Sequence, residues 1–296
     1  MPRTSPRSRA ADLRAARAKV NLWLNVVGRR ADGYHLLDSL VAFADLADTV
    51  EALASDRLSL AFDGTATAPG AAALSAEPDN LVLRAARLLA ECASVAPQAD
   101  LRLTKNIPVA AGLGGGSADA AATLQALVEL WRLRLSEREL FDIAARLGAD
   151  VPMCLAGRTS LVSGTGDRLE TAPALPPCAV LLVNPGVSLS TADVFAARRG
   201  DFSPSRPLAR SWSVMAEFVE MLAERGNDLT PAAVSLRPVI GEVLSLLRST
   251  DGARYAAMSG SGATCFALYA TFAEARHAAT RLPHDWWRHA GTFAQT

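Results

Sequence analysis

The stretch Pro108-Val109-Ala110-Ala111-Gly112-Leu113-Gly114-Gly115-Gly116-Ser117-Ala118 places four glycines within five positions. A short strand-like run at residues 101–103 precedes it, and an alanine- and leucine-rich segment continues to Trp131. Glycines let the backbone turn freely and leave amide N–H groups pointing into one concavity. A helix opening at Ser117 adds its own unpaired N–H groups and the positive end of its dipole, which together make an anion site suited to phosphates. The loop is not of the Walker type, because no Gly-Lys-Ser/Thr follows, and the dinucleotide-binding spacing fails because position 117 is serine. The plainer reading is a tightly packed glycine turn with Ser117 capping the helix. The rest of the chain has to decide between the two.

Working outward, Val20, Leu22, Leu24 and Val26 alternate along one face, as in a strand, and residues 58–62 and 101–103 are further short strands. Asp79-Asn80 opens a capped helix over residues 81–92, and Ser136 with Glu139 forms a capping box for a helix that stops at Gly148. Beyond residue 166 come a strand at 179–183, a short helix at 191–197, longer helices at 215–225 and 239–247, and a strand at 265–269. A second capping box, Thr271 with Glu274, follows. The proline cluster Pro173, Pro176, Pro177 sits near the change-over. Strands and helices without regular alternation predict an α+β protein, with residues 16–165 as one domain and 166–296 as a second. Residues 1–15 are expected to be a disordered basic extension. The first 18 residues hold five arginines and one acid, Asp12, a bias shared by transit peptides, bacterial extensions and early start sites.

Composition narrows the function. Thirty basic residues balance thirty acidic ones, which argues against binding nucleic acid through its phosphates. No apolar run is long enough to span a membrane. Cys92, Cys154, Cys178 and Cys265 are widely and irregularly spaced, without a Cys-x-x-Cys pair, so neither a zinc site nor a disulfide framework is expected. The cysteines, His277 and the Trp286-Trp287 pair read as structural. A cytoplasmic globular protein, monomer or homodimer, fits these features. The basic residues are arginine everywhere except Lys19 and Lys105, which draws attention to those two positions.

Four segments together carry a resemblance. Residues 108–121 resemble the phosphate-binding signature of the GHMP kinase superfamily. Ala18-Lys19-Val20-Asn21-Leu22 with Gly28-Arg29-Arg30-Ala31-Asp32-Gly33-Tyr34-His35 is similar to the opening of one branch, and Gly148-Ala149-Asp150-Val151-Pro152 to a later block of it. Ser259-Gly260-Ser261-Gly262-Ala263-Thr264-Cys265 is similar to the superfamily's C-terminal glycine motif. The resemblance implies a ribosomal protein S5 domain 2-like N-terminal domain that binds ATP, a ferredoxin-like C-terminal domain, and an active site between them. For that branch it implies ATP- and Mg2+-dependent phosphorylation of the 2-hydroxyl of cytidine diphospho-methylerythritol. Two positions depart from the pattern. Arg17 stands where proline is usual, and Ala118 where a second serine is common, which removes one hydroxyl from the phosphate site.

By the same resemblance Asp150 is the catalytic carboxylate and Lys19 its partner; read alone, Asp150 is an ordinary helix cap and Lys19 a solvated strand end. Residues 108–118 and Asn80 border the nucleotide, Asn80 being otherwise only a cap. Lys105 either approaches the nucleotide or lies on the surface. Tyr34 and Phe195 are implied to sandwich the cytosine, with His35 on the base edge and Asn21 and Thr191 along the diphosphate and erythritol; for Phe195 a core contact is the alternative. No residue is assigned to the metal. Another GHMP kinase, of homoserine or mevalonate type, would not need Tyr34, His35 and Phe195, and a silent nucleotide-binding regulator would not need Lys19 and Asp150.

Overall fold

The computed structural model describes residues 12–62, 69, 79–204, 206, 212 and 214–294. Its first strand, β1 (Asp12–Arg29), runs well beyond the expected residues 20–26. It pairs antiparallel with β2 (His35–Leu53) from Asp12↔Ala52 to Arg29↔His35. Residues 12–15, expected in a disordered extension, are therefore sheet; the rest of that segment lies outside the described residues. β2 carries no clean alternation because residues 39–44 are buried on both faces, and a doubly covered strand reads as a continuous apolar run.

Around β2 assemble β3 (Leu58–Phe62), β4 (Ala99–Thr104), β5 (Ser160–Gly164) and β6 (Arg168–Thr171), in the order β3-β4-β2-β5-β6 with β1 also on β2. β3 and β4 are parallel, and the crossover this requires contains α1 (Leu81–Ala93). α2 (Gly115–Leu130) is apolar almost all round and accordingly central, as Ala121, Leu124 and Leu127 pack with Leu89 of α1 and with Leu101 and Leu103 of β4. α3 (Glu137–Leu147) has the expected capping box, and α4 (Val151–Ala156) follows it directly. Because β6 pairs with β5, the first structural unit continues through Thr171, past the boundary expected at 165.

The second unit is a four-stranded antiparallel sheet, ordered β10-β7-β9-β8, from β7 (Ala179–Asn184), β8 (Tyr255–Met258), β9 (Cys265–Tyr269) and β10 (Trp287–Thr292). Its helices are α5 (Thr191–Ala197), α6 (Met215–Arg225), α7 (Thr230–Leu236), α8 (Val239–Ser249) and α9 (Phe272–Ala279). Leu181 and Val183 of β7 face a core with Val243, Leu247 and Ala278. Val180 and Leu182 point the other way, into a second core with Val20, Leu22, Leu40 and Phe218. The two sheets thus share apolar side chains, and β7 is buried at every position. This is the expected α+β architecture in two units. The four cysteines are free, and no helix among the described residues is long and apolar enough to cross a membrane.

Candidate active site

A cavity of about 570 Å³ opens where the two units meet, with walls from the glycine loop, β1, α4, α5 and the turn between β8 and β9. β1 loses register with β2 between Arg17 and Lys19 and again between Asn21 and Trp23. Such bulges re-aim side chains. Between them Lys19 and Asn21, two apart on one face, both enter the cavity. Lys19 Nζ donates to Asn21 Oδ1 at 2.6 Å and stands 3.5 Å from Asp150 Oδ2. Asn21 Nδ2 donates to Ser39 Oγ at 2.8 Å, and Ser39 donates in turn to the Trp23 carbonyl at 2.5 Å. With its proton committed, Ser39 offers Asn21 only lone pairs, so the Asn21 carbonyl must face Lys19. Lys19 is 6% exposed, against the reading of a solvated strand end. Asp150 does sit at the N-cap position of α4, yet its side chain makes no capping hydrogen bond.

The glycine loop leads into α2 two residues earlier than expected. Gly114 is the N-cap, at φ +66° and without a side-chain cap, so Ser117 is inside the helix and does not close its end. A Cβ at Gly114 would stand 2.6 Å from Lys19 Cγ, and one at Gly112 (φ +75°) 2.5 Å from the Gly262 carbonyl oxygen. Only glycine permits both the backbone conformation and the approach. The two glycine motifs therefore lie against one another. Ser259 Oγ accepts from the Asn21 amide at 3.1 Å and donates to the Gly112 carbonyl at 3.2 Å, while the Thr264 amide donates to the Ala111 carbonyl at 3.2 Å. Pro108, Val109, Ala110, Ala111, Gly112, Gly114, Gly115, Gly116 and Ser117 line the cavity, whereas Leu113 and Ala118 are buried behind it.

Lys105 is 2% exposed, which overturns the surface reading. Its ammonium bridges Asp48 of β2 and Asp119 of α2, the latter at 2.7 Å. Burial works to lower the Lys105 pKa, but the charges and hydrogen bonds of Asp119 and Asp48 outweigh it and the pKa is raised. Burial raises the Asp119 pKa, with Asp48 adding to it and Lys105 opposing.

Phe195, in the cavity wall, stacks on His35, which stands behind it outside the lining, with ring centroids 4.9 Å apart and planes at 25°. Tyr34 is 67% exposed and stands outside the lining. The expected Tyr34–Phe195 slot is thus a His35–Phe195 stack here. Burial lowers the His35 pKa, and Arg29 and Arg198 lower it further. Thr191 Oγ1 lies 2.8 Å from Ser261 Oγ, and both line the cavity. Asn80 accepts from the Val82 amide at 2.9 Å as the cap of α1 and also reaches the lining. Sequence reasoning assigned nothing to Ser39, Asp119, Ser259 or Ser261. A lone aspartate among the alanines of α2 was the available signal for Asp119; Ser39 carries none, since its importance comes from a partner across the sheet.

The chain matches the GHMP kinases N terminal domain over residues 80–158 and the GHMP kinases C terminal domain over 207–289. It is 51% identical over 286 residues to the 4-diphosphocytidyl-2-C-methyl-D-erythritol kinase of Rhodospirillum rubrum, covering 95% of this chain and 93% of that protein. The protein of the same name from Paramagnetospirillum magneticum is also 51% identical, covering 92% and 95%. A crystal structure of 4-(cytidine 5'-diphospho)-2C-methyl-D-erythritol kinase superposes with a TM-score of 0.79 at 37% identity, covering 96% of this chain and all of that one. A homoserine kinase from Cytophaga hutchinsonii shares the fold, with a TM-score of 0.71 at 19% identity over 96% of this chain and 95% of that one. Matched by both domain models and by relatives about half identical over nearly the whole chain, and with its two glycine motifs meeting in one cavity, the chain belongs to the GHMP kinases, in the family of the 4-diphosphocytidyl-2-C-methyl-D-erythritol kinases.

Proposed function

We propose that this cavity transfers the γ-phosphoryl group of ATP to the 2-hydroxyl of 4-diphosphocytidyl-2-C-methyl-D-erythritol, giving the 2-phosphate and ADP. This is a cytoplasmic step of the non-mevalonate isoprenoid pathway. The observation that carries it is the Lys19–Asp150 pair, 3.5 Å apart, opening into the same cavity as the glycine loop. Family membership supplies the substrate.

Phosphoryl transfer asks a protein chiefly for positioning and charge stabilisation. The substrate oxygen attacks the γ-phosphorus, its proton passes to Asp150, and the bond from the γ-phosphorus to the bridging oxygen breaks to release ADP. Lys19, held by Asn21, faces the developing negative charge on the attacking oxygen and orients Asp150. The free amides at the start of α2, capped by Gly114, receive the phosphates. Magnesium bound with the nucleotide supplies further neutralisation. Among the described residues no group of three or more His, Cys, Asp or Glu gathers to hold a metal alone, which suits an ion held largely by phosphates and water. Asn80 and the glycine loop border the nucleotide, and Thr191 the methylerythritol diphosphate. Phe195 offers a ring face to cytosine. His35, beside that ring, is assigned to the base edge and the exposed Tyr34 to the opposite face of the base. Residues 12–171 then carry the nucleotide, and the second unit completes the acceptor site.

A panel of acceptors tests this reading. With ATP and Mg2+, ADP release is expected with the cytidylyl substrate and near background with homoserine or mevalonate. Turnover of either of those two without the cytidylyl compound would sink it, and no turnover with any acceptor would favour a regulator.

A further inference from the structure

Beneath the glycine loop two carboxylates, Asp48 and Asp119, share the one ammonium of Lys105 in the wall of a cavity read as a phosphate site. Asp48 is fully engaged. Its Oδ1 accepts the amides of Asn106 at 2.6 Å and Ile107 at 2.8 Å, and its Oδ2 takes Lys105. Asp119 is engaged on one side only. Its Oδ2 accepts from Lys105 at 2.7 Å, while its Oδ1 is buried and has no hydrogen-bond partner. The residue is 3% exposed and belongs to the cavity wall. An unpartnered buried acceptor is costly, the more so when charged. When ionised, this carboxylate, one turn into the helix read as receiving phosphates, also repels them. A cation between the two removes both penalties.

We propose that Asp119 Oδ1 is this chain's ligand for the divalent cation that accompanies the nucleotide. The inference rests on the phosphotransfer reading and adds to it the metal's protein contact. The chemistry suits magnesium, a hard ion usually held by one or two carboxylates together with phosphate oxygens and water. Lys105 acts as the outer partner, since by holding Oδ2 it orients the carboxylate and leaves Oδ1 for the metal. Asp48 already neutralises Lys105, so the lysine does not by itself account for a second carboxylate. Because no cluster among the described residues completes the site, the metal should bind tightly only with nucleotide present.

The test uses Mn2+ as the probe, titrated into the full-length chain with a non-hydrolysable ATP analogue while electron paramagnetic resonance follows the free ion. Asp119→Asn is expected to raise the Mn2+ dissociation constant of the nucleotide complex by about tenfold or more. Binding of the analogue in EDTA should stay the same or tighten. An unchanged Mn2+ constant in a variant that still binds the analogue overturns the proposal. Should Asp119→Asn not fold, protein labelled with 13C at the aspartate carboxyl decides instead. A 13C coupling to Mn2+ in the wild type that persists in Asp150→Asn supports the assignment, and its absence overturns it. Failure of the wild type to bind nucleotide at all would strike the phosphotransfer reading first, and is read separately from the metal titration.

Discussion

The role proposed for Lys19 depends on shape as much as charge. It is buried, its Nζ is 2.6 Å from Asn21 Oδ1, and a Cβ at Gly114 would collide with its methylenes. A planar guanidinium does not fit a slot made for a compact ammonium. Lys19→Arg is therefore expected to lower kcat by about a hundredfold or more, as steady-state ADP release would show, and to lower the thermal midpoint as well because the larger head is forced into a packed site. His35 gives a second expectation. With its pKa lowered from 6.5 by burial, Arg29 and Arg198, it is neutral at pH 7. The unfolded chain takes up this proton more readily than the folded one, so what His35 contributes to stability is complete above its unfolded pKa and fades as pH falls through the lowered folded value. KM for the cytidylyl substrate should be flat from pH 8 to 7 and climb on acidification, and His35→Gln should remove that climb. A pH profile of KM in both proteins checks it. Composition alone singled out two lysines, and Lys19 was legible because the residues around it form a contiguous block. Lys105 was not, because its partners lie 57 and 14 residues away in sequence.

At the level of elements, the Asp48–Lys105–Asp119 group joins β2, the end of β4 and α2, and so ties the first turns of α2 to the sheet. Removing one member of a buried charged group leaves the others uncompensated and typically costs about 3–5 kcal/mol. Lys105→Met is expected to lose stability on that scale in urea unfolding, well beyond the effect of an exposed lysine. A loss under about 1 kcal/mol would show that the group is not held as described. Helices were the most legible elements, since α3 and α9 announce themselves by capping boxes that the structure contains. β2 escaped because residues 39–44 at its centre are covered on both faces, and β6 because four mostly exposed residues leave no pattern. α2 was recognised, but its start was misplaced because a left-handed glycine caps it where serine was expected.

Across the whole molecule the site exists because two units share a core. Val20 and Leu22 of β1 pack with Val180 and Leu182 of β7, and Asp45 of β2 holds His289 Nε2 at 2.9 Å and the Thr292 amide at 2.9 Å on β10. That contact brings Lys19 and Asp150 from one unit to Thr191, Phe195 and Gly260 from the other. The two-unit architecture was legible through four separated motifs, whereas β6, which pairs back onto β5 from beyond residue 165, left no pattern in the sequence. If the cavity works as one active site, its carboxylate is needed for the chemical step and little for binding. The most direct measurement is kcat for Asp150→Asn with ATP, Mg2+ and the cytidylyl substrate, beside equilibrium binding of both substrates. Removing the acceptor of the hydroxyl proton should lower kcat by about 10²–10⁴-fold. Both dissociation constants should stay within about threefold of wild type, as for a group acting in the transition state. A kcat within about threefold of wild type would contradict the assignment of Asp150, and with it the mechanism built on the Lys19–Asp150 pair.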